Sequence, residues 1–178
     1  MSLLGQVRSY WRVLPSARRN RLDLLVWLRH RPQILAATGV YETALVASAR
    51  MDLRLKQLAE LKAAALVNCE YCLDIGSAMC LATGISETQL RDLPNYRTSD
   101  AFSSDEKMVL EFAESMTQQP ALISNDLRQR MLDCFSPTQV TELAAAVAWE
   151  NYRGRLNQAL GVRPSGFSEG SACALPEK

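Results

Sequence analysis

The amino-acid sequence predicts an all-α fold, because helix signals recur along the chain and no stretch of four or more residues alternates between apolar and polar side chains. Three capping boxes, in which a serine is followed three residues later by Gln or Glu, begin at Ser86, Ser103 and Ser136. With 178 residues, 48% of them hydrophobic, the chain can bury one substantial core. We therefore expect a single all-helical domain over residues 1–162.

In the first half, apolar spacing and the positions of proline and glycine predict the helices. Pro15 stops the first predicted helix, and Pro32 suits the first turn of the third. Asp52 can cap the fourth, and Gly84 suits the left-handed residue that ends the fifth. The predicted helices of this half are residues 3–14, 21–28, 32–49, 53–68 and 73–83.

In the second half, the capping boxes set the helix starts, and Gly161 closes the last helix. The predicted helices are residues 87–92, 105–116, 125–134 and 137–160. Residues 91–104 are polar and read as a surface loop that can separate two helical halves. Residues 163–178 are rich in Ser, Gly and Pro, which predicts a flexible, loosely packed C-terminal tail.

Composition and charge exclude several classes of function. Charged residues make up 22% of the chain and the formal net charge is +1, so no global field favours nucleic acid. The apolar runs are far shorter than the ~20 residues of a membrane span. The N-terminus lacks the order of a secretory signal, and its arginines are more typical of a docking helix than of a membrane-binding one. We expect a cytoplasmic protein without nucleic-acid or membrane partners.

The five cysteines stand at positions 69, 72, 80, 134 and 173, an odd number that argues against a secreted disulfide framework. Cys69 and Cys72 form a C-x-x-C pair at a predicted helix start. Backbone N–H groups at such a start stabilise a thiolate, and the pair can cycle between dithiol and disulfide. We interpret Cys80 and Cys134 as core residues and Cys173 as a tail thiol.

Two alternatives to redox chemistry stay open for the pair. Structural zinc takes about four ligands, and this sequence offers His30 as its one histidine and Cys80 as a third sulfur, without an evident fourth ligand. The other alternative is a pair of small core residues, since free cysteine is often buried. We expect no metal and no cofactor, and we favour the redox interpretation.

The residues around the pair resemble a known family. The stretch from residue 53 to residue 90, LRLKQLAELKAAALVNCEYCLDIGSAMCLATGISETQL, resembles the alkylhydroperoxidase D-like (AhpD-like) branch of the carboxymuconolactone decarboxylase-like superfamily. The downstream segments EKMVLEFAESMT and QVTELAAAVAWENYRGRLNQALGV extend the likeness over residues 31–162. The resemblance implies an AhpD-like helical bundle, a homo-oligomer such as a trimer or hexamer, and reduction of hydroperoxides by the cysteine pair.

The family motif is Glu, eleven residues, then C-x-x-C-x-x-x-His. Cys69 and Cys72 match its cysteines, which implies that Cys72 attacks the peroxide. Gln57 stands at the glutamate position and Gly76 at the histidine position. A neutral amide cannot take a proton near neutral pH, and glycine has no side chain. The proton relay of the family is therefore absent from these two positions.

Other residues could replace the relay. Asp74 is the first choice of base because it follows Cys72 by two residues, and Glu60 is a further candidate relay on a neighbouring helical face. Both residues also have a purely structural interpretation. Glu60 can be a charge on the surface, and Asp74 can be a charge that stabilises the positive end of a helix. The polar and aromatic residues 149–152 could line the cysteine pocket or brace an oligomer interface, with the interface slightly favoured.

The sequence therefore predicts a thiol-dependent oxidoreductase that reduces hydroperoxides or disulfides through Cys69 and Cys72. The resemblance suggests a lipoyl-bearing or thioredoxin-like protein as reductant. One alternative is a non-catalytic helical oligomer that retains the family scaffold. The other is a carboxymuconolactone decarboxylase, whose chemistry in the family does not use a C-x-x-C pair.

Overall fold

The computed structural model describes residues 11–177, and within this range it is built from helices with no β-strand. The predicted all-α fold is therefore confirmed. Two short 3-10 turns cover Leu14–Ser16 and Leu93–Asn95. The α-helices are α1 (Asp23–Leu28), α2 (Pro32–Ala47), α3 (Leu53–Leu66), α4 (Glu70–Ala82), α5 (Glu87–Asp92), α6 (Ser104–Thr117), α7 (Asn125–Cys134) and α8 (Pro137–Ala159).

The helix starts follow the capping signals of the sequence. All three predicted capping boxes form, with Ser86, Ser103 and Ser136 as the N-caps of α5, α6 and α8. The Asp52 side chain accepts a hydrogen bond from the backbone N–H of Arg54 at the start of α3. The first predicted helix, residues 3–14, lies mostly outside the described residues.

Helix α3 lies at the centre of the fold and packs against α4, α6 and α8. One of its faces, which includes Leu58 and Leu61, contributes to an apolar cluster with Cys69 and Cys72. The adjacent face, which includes Ala59, belongs to a second cluster formed with α6, α7 and α8. Because residues three and four apart share a helical face, this spacing lets α3 join both clusters.

A buried ion pair links the start of α3 to α8. The Lys56 ammonium donates a hydrogen bond of 2.8 Å to Glu142, and both side chains are at most 5% exposed. Glu142 also accepts hydrogen bonds from the Ser48 hydroxyl and the backbone N–H of Arg50. Buried charges are stable only when paired and hydrogen-bonded, and this site meets both conditions.

The segment after α8 is packed, which differs from the expected loose tail. Ala174 is 2% exposed and joins the cluster around the cysteine pair. Nearby, the backbone N–H of Glu177 donates to the Ala65 carbonyl, and its carboxylate accepts from the buried Lys62 ammonium. Composition indicated disorder, but the core supplies charged and backbone partners that hold these residues in place.

Two further expectations need correction. Residues 91–104 do not separate two halves, because Leu93, Tyr96 and Phe102 are buried in the cluster around α3 and α4. Cys134 is exposed rather than part of the core, since α7 ends there and the next residue, Phe135, is buried instead. Cys80 is buried as expected.

No helix within residues 11–177 is long and apolar enough to cross a membrane.

Candidate active site

The cysteine pair lies at the junction between α3 and α4. The chain leaves α3 after Leu66 and turns at Asn68, whose φ of 58° is in the left-handed region that asparagine tolerates. Cys69 then has extended backbone and is the N-cap of α4, which puts Cys72 in the first turn of that helix. The two Cα atoms are 5.2 Å apart and the sulfurs form a disulfide.

The two sulfurs have different surroundings. Cys69 is 1% exposed, and its Sγ accepts a hydrogen bond from the backbone N–H of Cys72, with the nitrogen and sulfur 3.2 Å apart. Cys72 is 5% exposed and lines a cavity of about 290 Å³. Of the pair, Cys72 is therefore the sulfur that a small molecule in this cavity would meet.

The cavity is mainly apolar, with a few polar groups. Its walls come from α1, α2, α3, α4 and α8. The apolar lining includes Leu24, Leu28, Leu61, Ile75, Met79 and Leu156. The polar and charged lining includes Glu42, Gln57, Glu60, Glu150, Arg153 and Asn157. Such a lining fits a small, largely apolar ligand that a few polar groups orient.

Glu60 is the predicted relay residue that the fold brings to the cavity of Cys72. Burial raises the pKa of Glu60 to about 7, against the opposing effect of the Arg153 guanidinium. A carboxyl group with a pKa near neutrality can both accept and return a proton under physiological conditions. Glu60 thus has the property that Gln57, at the family position, lacks.

A charged network surrounds Glu60. The Arg153 guanidinium donates a hydrogen bond of 3.0 Å to Glu42 on α2 and another, through Nε, to Glu150 on its own helix. Glu42 also accepts from the indole N–H of Trp149 at 2.8 Å. Burial raises the pKa of Glu150, although Arg153 opposes this effect. Residues 150 and 152 line the cavity, one of the two roles considered for the cluster at 149–152.

Gln57 and Gly76 also line the cavity, where the family motif has its glutamate and histidine. The Gln57 side-chain oxygen accepts a hydrogen bond of 2.5 Å from the Thr83 hydroxyl, so this amide has a structural partner. A β-carbon at position 76 would stand 3.0 Å from Leu61 Cδ1. A larger side chain at this position would therefore require Leu61 to move.

Asp74 does not take the position expected of a base. Its carboxylate accepts hydrogen bonds from the backbone N–H groups of Ser165, Gly166, Phe167 and Ser168 and from the Ser168 hydroxyl. Burial raises the pKa of Asp74, but these hydrogen bonds outweigh burial and lower the pKa overall. A carboxylate so fully engaged is a weak base, and its position explains the packing of the tail.

Asn157 is the residue at this site that the sequence reasoning missed. It is 2% exposed, and its Nδ2 lies 3.5 Å from Cys72 Sγ and 3.9 Å from Cys69 Sγ. A single asparagine near the end of a long helix belongs to no recognisable motif. The available signal was its spacing from Glu150 and Arg153, which places all three residues on one face of α8.

Within residues 11–177, no group of three or more His, Cys, Asp and Glu side chains could hold a metal ion.

Comparison with known proteins assigns the chain to a family. The model of the Carboxymuconolactone decarboxylase family matches residues 32–115. The uncharacterized protein YnjA of Escherichia coli is 30% identical over 128 residues, which cover 72% of this chain and 68% of YnjA. The chain belongs to the carboxymuconolactone decarboxylase family. The matched region of the family model contains the C-x-x-C pair, Gln57, Glu60 and Gly76.

Solved structures of other proteins share the fold. The Agrobacterium tumefaciens protein of unknown function ATU0492, an AhpD antioxidant defence candidate, superposes with a TM-score of 0.73 at 18% identity, covering 78% of this chain and 94% of that one. The debrominase Bmp8 superposes with a TM-score of 0.75 at 19% identity, covering 93% and 87% respectively. At these identities the likeness establishes the AhpD-like helical fold.

Proposed function

We propose that the protein is a thiol-dependent oxidoreductase that reduces organic hydroperoxides through Cys69 and Cys72, with Glu60 as the proton relay. One observation carries the proposal: Cys72 and Glu60, whose pKa is about 7, line the same apolar cavity. Membership of the carboxymuconolactone decarboxylase family and the likeness of fold to an AhpD candidate support it.

The reaction follows from the two sulfurs. In the dithiol form, Cys72 loses its proton to Glu60, and the thiolate attacks the terminal oxygen of the hydroperoxide. The O–O bond breaks, the protonated Glu60 returns the proton to the departing alkoxide, and Cys72 becomes a sulfenic acid. The Cys69 thiol then displaces water from that sulfenic acid and forms the disulfide. An external dithiol reduces the disulfide and is itself oxidised.

The burial of both sulfurs favours small, narrow substrates over bulky ones. Cys69 is 1% and Cys72 5% exposed, and access to Cys72 is through a cavity of about 290 Å³. A small hydroperoxide fits such a space, whereas a disulfide on the surface of a folded protein does not reach into it readily. The same reasoning favours a lipoyl group, which is a dithiol on a long arm, over a bulky thioredoxin-like protein as reductant.

The N-terminal helices support assembly into a homo-oligomer. Helix α2 is apolar in sequence, yet none of its residues is buried, and Val40 is 71% exposed. Trp27 on α1 is 50% exposed beside it. Apolar surface of this kind is typical of subunit contacts. Light scattering should give a multiple of the 19.8 kDa chain mass, and Val40→Glu should lower it.

The cytoplasm is the compartment that suits this chemistry, because its thiol-reducing systems keep returning disulfides to the dithiol form. The proposed cycle depends on that supply of reducing equivalents.

The test measures consumption of tert-butyl hydroperoxide with dihydrolipoamide as reductant. The wild type should turn over, whereas Cys69→Ser and Cys72→Ser should lose turnover. Cys134→Ser is the matched control, because Cys134 is a free, exposed cysteine away from the cavity. Folded protein without turnover, together with unreactive thiols, would favour a scaffold that has lost catalysis.

A further inference from the structure

The two sulfurs of the pair differ in their nearest hydrogen-bond donor. The backbone N–H of Cys72, at the start of α4, points to Cys69 Sγ. The side-chain Nδ2 of Asn157, on α8, lies 3.5 Å from Cys72 Sγ. Asn157 Nδ2 also lies 3.9 Å from Cys69 Sγ, but it is closer to Cys72, the sulfur of the pair that lines the cavity.

We propose that Asn157 stabilises the thiolate form of Cys72 and holds it toward the cavity. This inference rests on the proposed function in assigning the attack to Cys72. Hydrogen bonds to a charged acceptor are roughly twice as strong as neutral ones, so the amide N–H favours the thiolate over the thiol. Asn157 is 2% exposed, so little water competes for the sulfur.

Carboxyl groups predominate among the charged residues that the structure describes around the cavity. Besides Cys72, the titratable groups that line it within residues 11–177 come from α2, α3, α4 and α8, and they are Glu42, Glu60, Tyr71, Glu150, Tyr152 and Arg153. Three of them are carboxyl groups, which disfavour a nearby thiolate when ionised. Arg153, the cation among the described lining residues, donates to Glu42 and Glu150. An amide N–H adds stabilisation without any positive charge.

The oxygen of the same amide has no hydrogen-bond donor. Asn157 Oδ1 is buried and accepts no hydrogen bond in the structure, and the same holds for Glu150 Oε1. A buried acceptor without a donor is costly, and both residues line the cavity. The O–H of a hydroperoxide could donate to Asn157 Oδ1 while its terminal oxygen faces Cys72 Sγ. Asn157 would then hold nucleophile and substrate in one geometry.

The test uses the reduced protein in the absence of hydroperoxide, so that no turnover takes place. Iodoacetamide alkylation of Cys72, read by mass spectrometry across a pH series, gives the pKa of this thiol. Asn157→Leu and Asn157→Asp keep the approximate size of the side chain, so a space-filling role would survive them. Asn151→Leu and Asn151→Asp are the matched controls, because Asn151 is on the same helix but donates to Thr117.

We expect the pKa of Cys72 to rise by about one pH unit in Asn157→Leu, the equivalent of one lost hydrogen bond to a charge. It should rise further in Asn157→Asp, where a carboxylate replaces the donor. Alkylation of the Leu variant near neutral pH should slow by about tenfold. The Asn151 variants should match the wild type. An unchanged pKa in folded Asn157 variants would overturn the inference.

A second measurement uses the wild type and so does not depend on the variants folding. In reduced, ¹⁵N-labelled protein, the side-chain N–H resonances of Asn157 should shift with the same midpoint as Cys72 alkylation. If they do not respond to that titration, the inference fails. Failure of the proposed function looks different: the resonances and the pKa behave as described, but no hydroperoxide is consumed.

Discussion

Gly154 of α8 lies directly against Val67 at the end of α3, so that a β-carbon at position 154 would stand 2.6 Å from Val67 Cγ2. The same β-carbon would stand 3.5 Å from Cys69 Cβ. Only glycine allows α8 to approach the junction of α3 and α4 this closely, because any larger residue must push Val67 aside. This contact brings Asn157, one turn further along α8, to the sulfurs.

Gly154→Ala should therefore destabilise the protein although alanine is the better helix former. Overpacking costs about 1–3 kcal/mol and outweighs the gain of about 1 kcal/mol in helix propensity. The control is Gly39→Ala in α2, where a β-carbon would meet nothing within 4 Å. Urea unfolding should show a loss of about 1 kcal/mol for the first variant and no loss for the second. Equal effects would contradict the packing argument.

Chemical trapping of the sulfenic acid shows which of the two sulfurs attacks the hydroperoxide. In Cys69→Ser the sulfenic acid on Cys72 has no resolving thiol, so dimedone should label Cys72 after one equivalent of hydroperoxide. In Cys72→Ser, Cys69 should remain unlabelled, because its sulfur does not line the cavity. Mass spectrometry of the labelled peptide distinguishes the two. Labelling of Cys69 alone would reverse the assigned roles.

The raised pKa of Glu60 predicts how stability depends on pH. A carboxyl group whose pKa is about 7 when folded and 4.5 as a free group favours the folded state below about pH 4.5, and this contribution is lost as the pH rises through about 7. Glu60→Gln cannot ionise. Relative to the wild type, the variant should gain stability between pH 5 and pH 8 in urea unfolding.

The pKa of Glu60 also predicts how the rate of the reaction depends on pH. Because ionised Glu60 accepts the proton of Cys72, the single-turnover rate with hydroperoxide should rise through about pH 7, and Glu60→Gln should lose that inflection. Glu87→Gln is the matched control on the exposed start of α5. An inflection near pH 7 that persists in Glu60→Gln would assign the proton transfer to another group.

Asp74 is predicted to hold the segment after α8 in place. Asp74→Ala should lower the free energy of unfolding by at least about 2 kcal/mol, because it removes the acceptor of several buried N–H groups. Chymotrypsin should then cleave after Phe167, which lies in the segment that Asp74 holds, faster than in the wild type. The exposed Asp133 serves as control, and Asp133→Ala should leave the cleavage rate unchanged.

The lowered pKa of Asp74 predicts how the stability of the protein changes at acidic pH. Its stabilising contribution is present above the unfolded value of about 3.9 and is lost as the pH falls through the folded pKa. The wild type should accordingly lose more stability than Asp74→Asn when the pH is lowered from 5 to 3.

The buried pair of Lys56 and Glu142 should be sensitive to removal of either charge. Lys56→Met leaves an uncompensated carboxylate in the core, and we expect a loss of about 3 kcal/mol in the free energy of unfolding. The exposed pair of Arg91 and Glu87 is the control, because Arg91→Ala should cost less than about 1 kcal/mol. Similar losses for the two variants would refute the difference between buried and exposed pairs.

Much of the fold followed from signals between near neighbours. The capping boxes at Ser86, Ser103 and Ser136 each involve residues three apart, so the sequence contains both partners of the interaction. The tail was misjudged for the opposite reason. Its composition predicted disorder, but its partners, Asp74 and Lys62, lie about a hundred residues away along the chain.

The sequence by itself determined the helices, the position of the C-x-x-C pair at a helix start and the family to which the chain belongs. Only the tertiary structure decided that Glu60 rather than Asp74 faces the cavity of Cys72, and that Asn157 lies beside its sulfur. The physical reason is that capping and periodicity depend on residues a few positions apart. The pKa of a carboxyl group and the partner of a thiol depend instead on which distant helices enclose them.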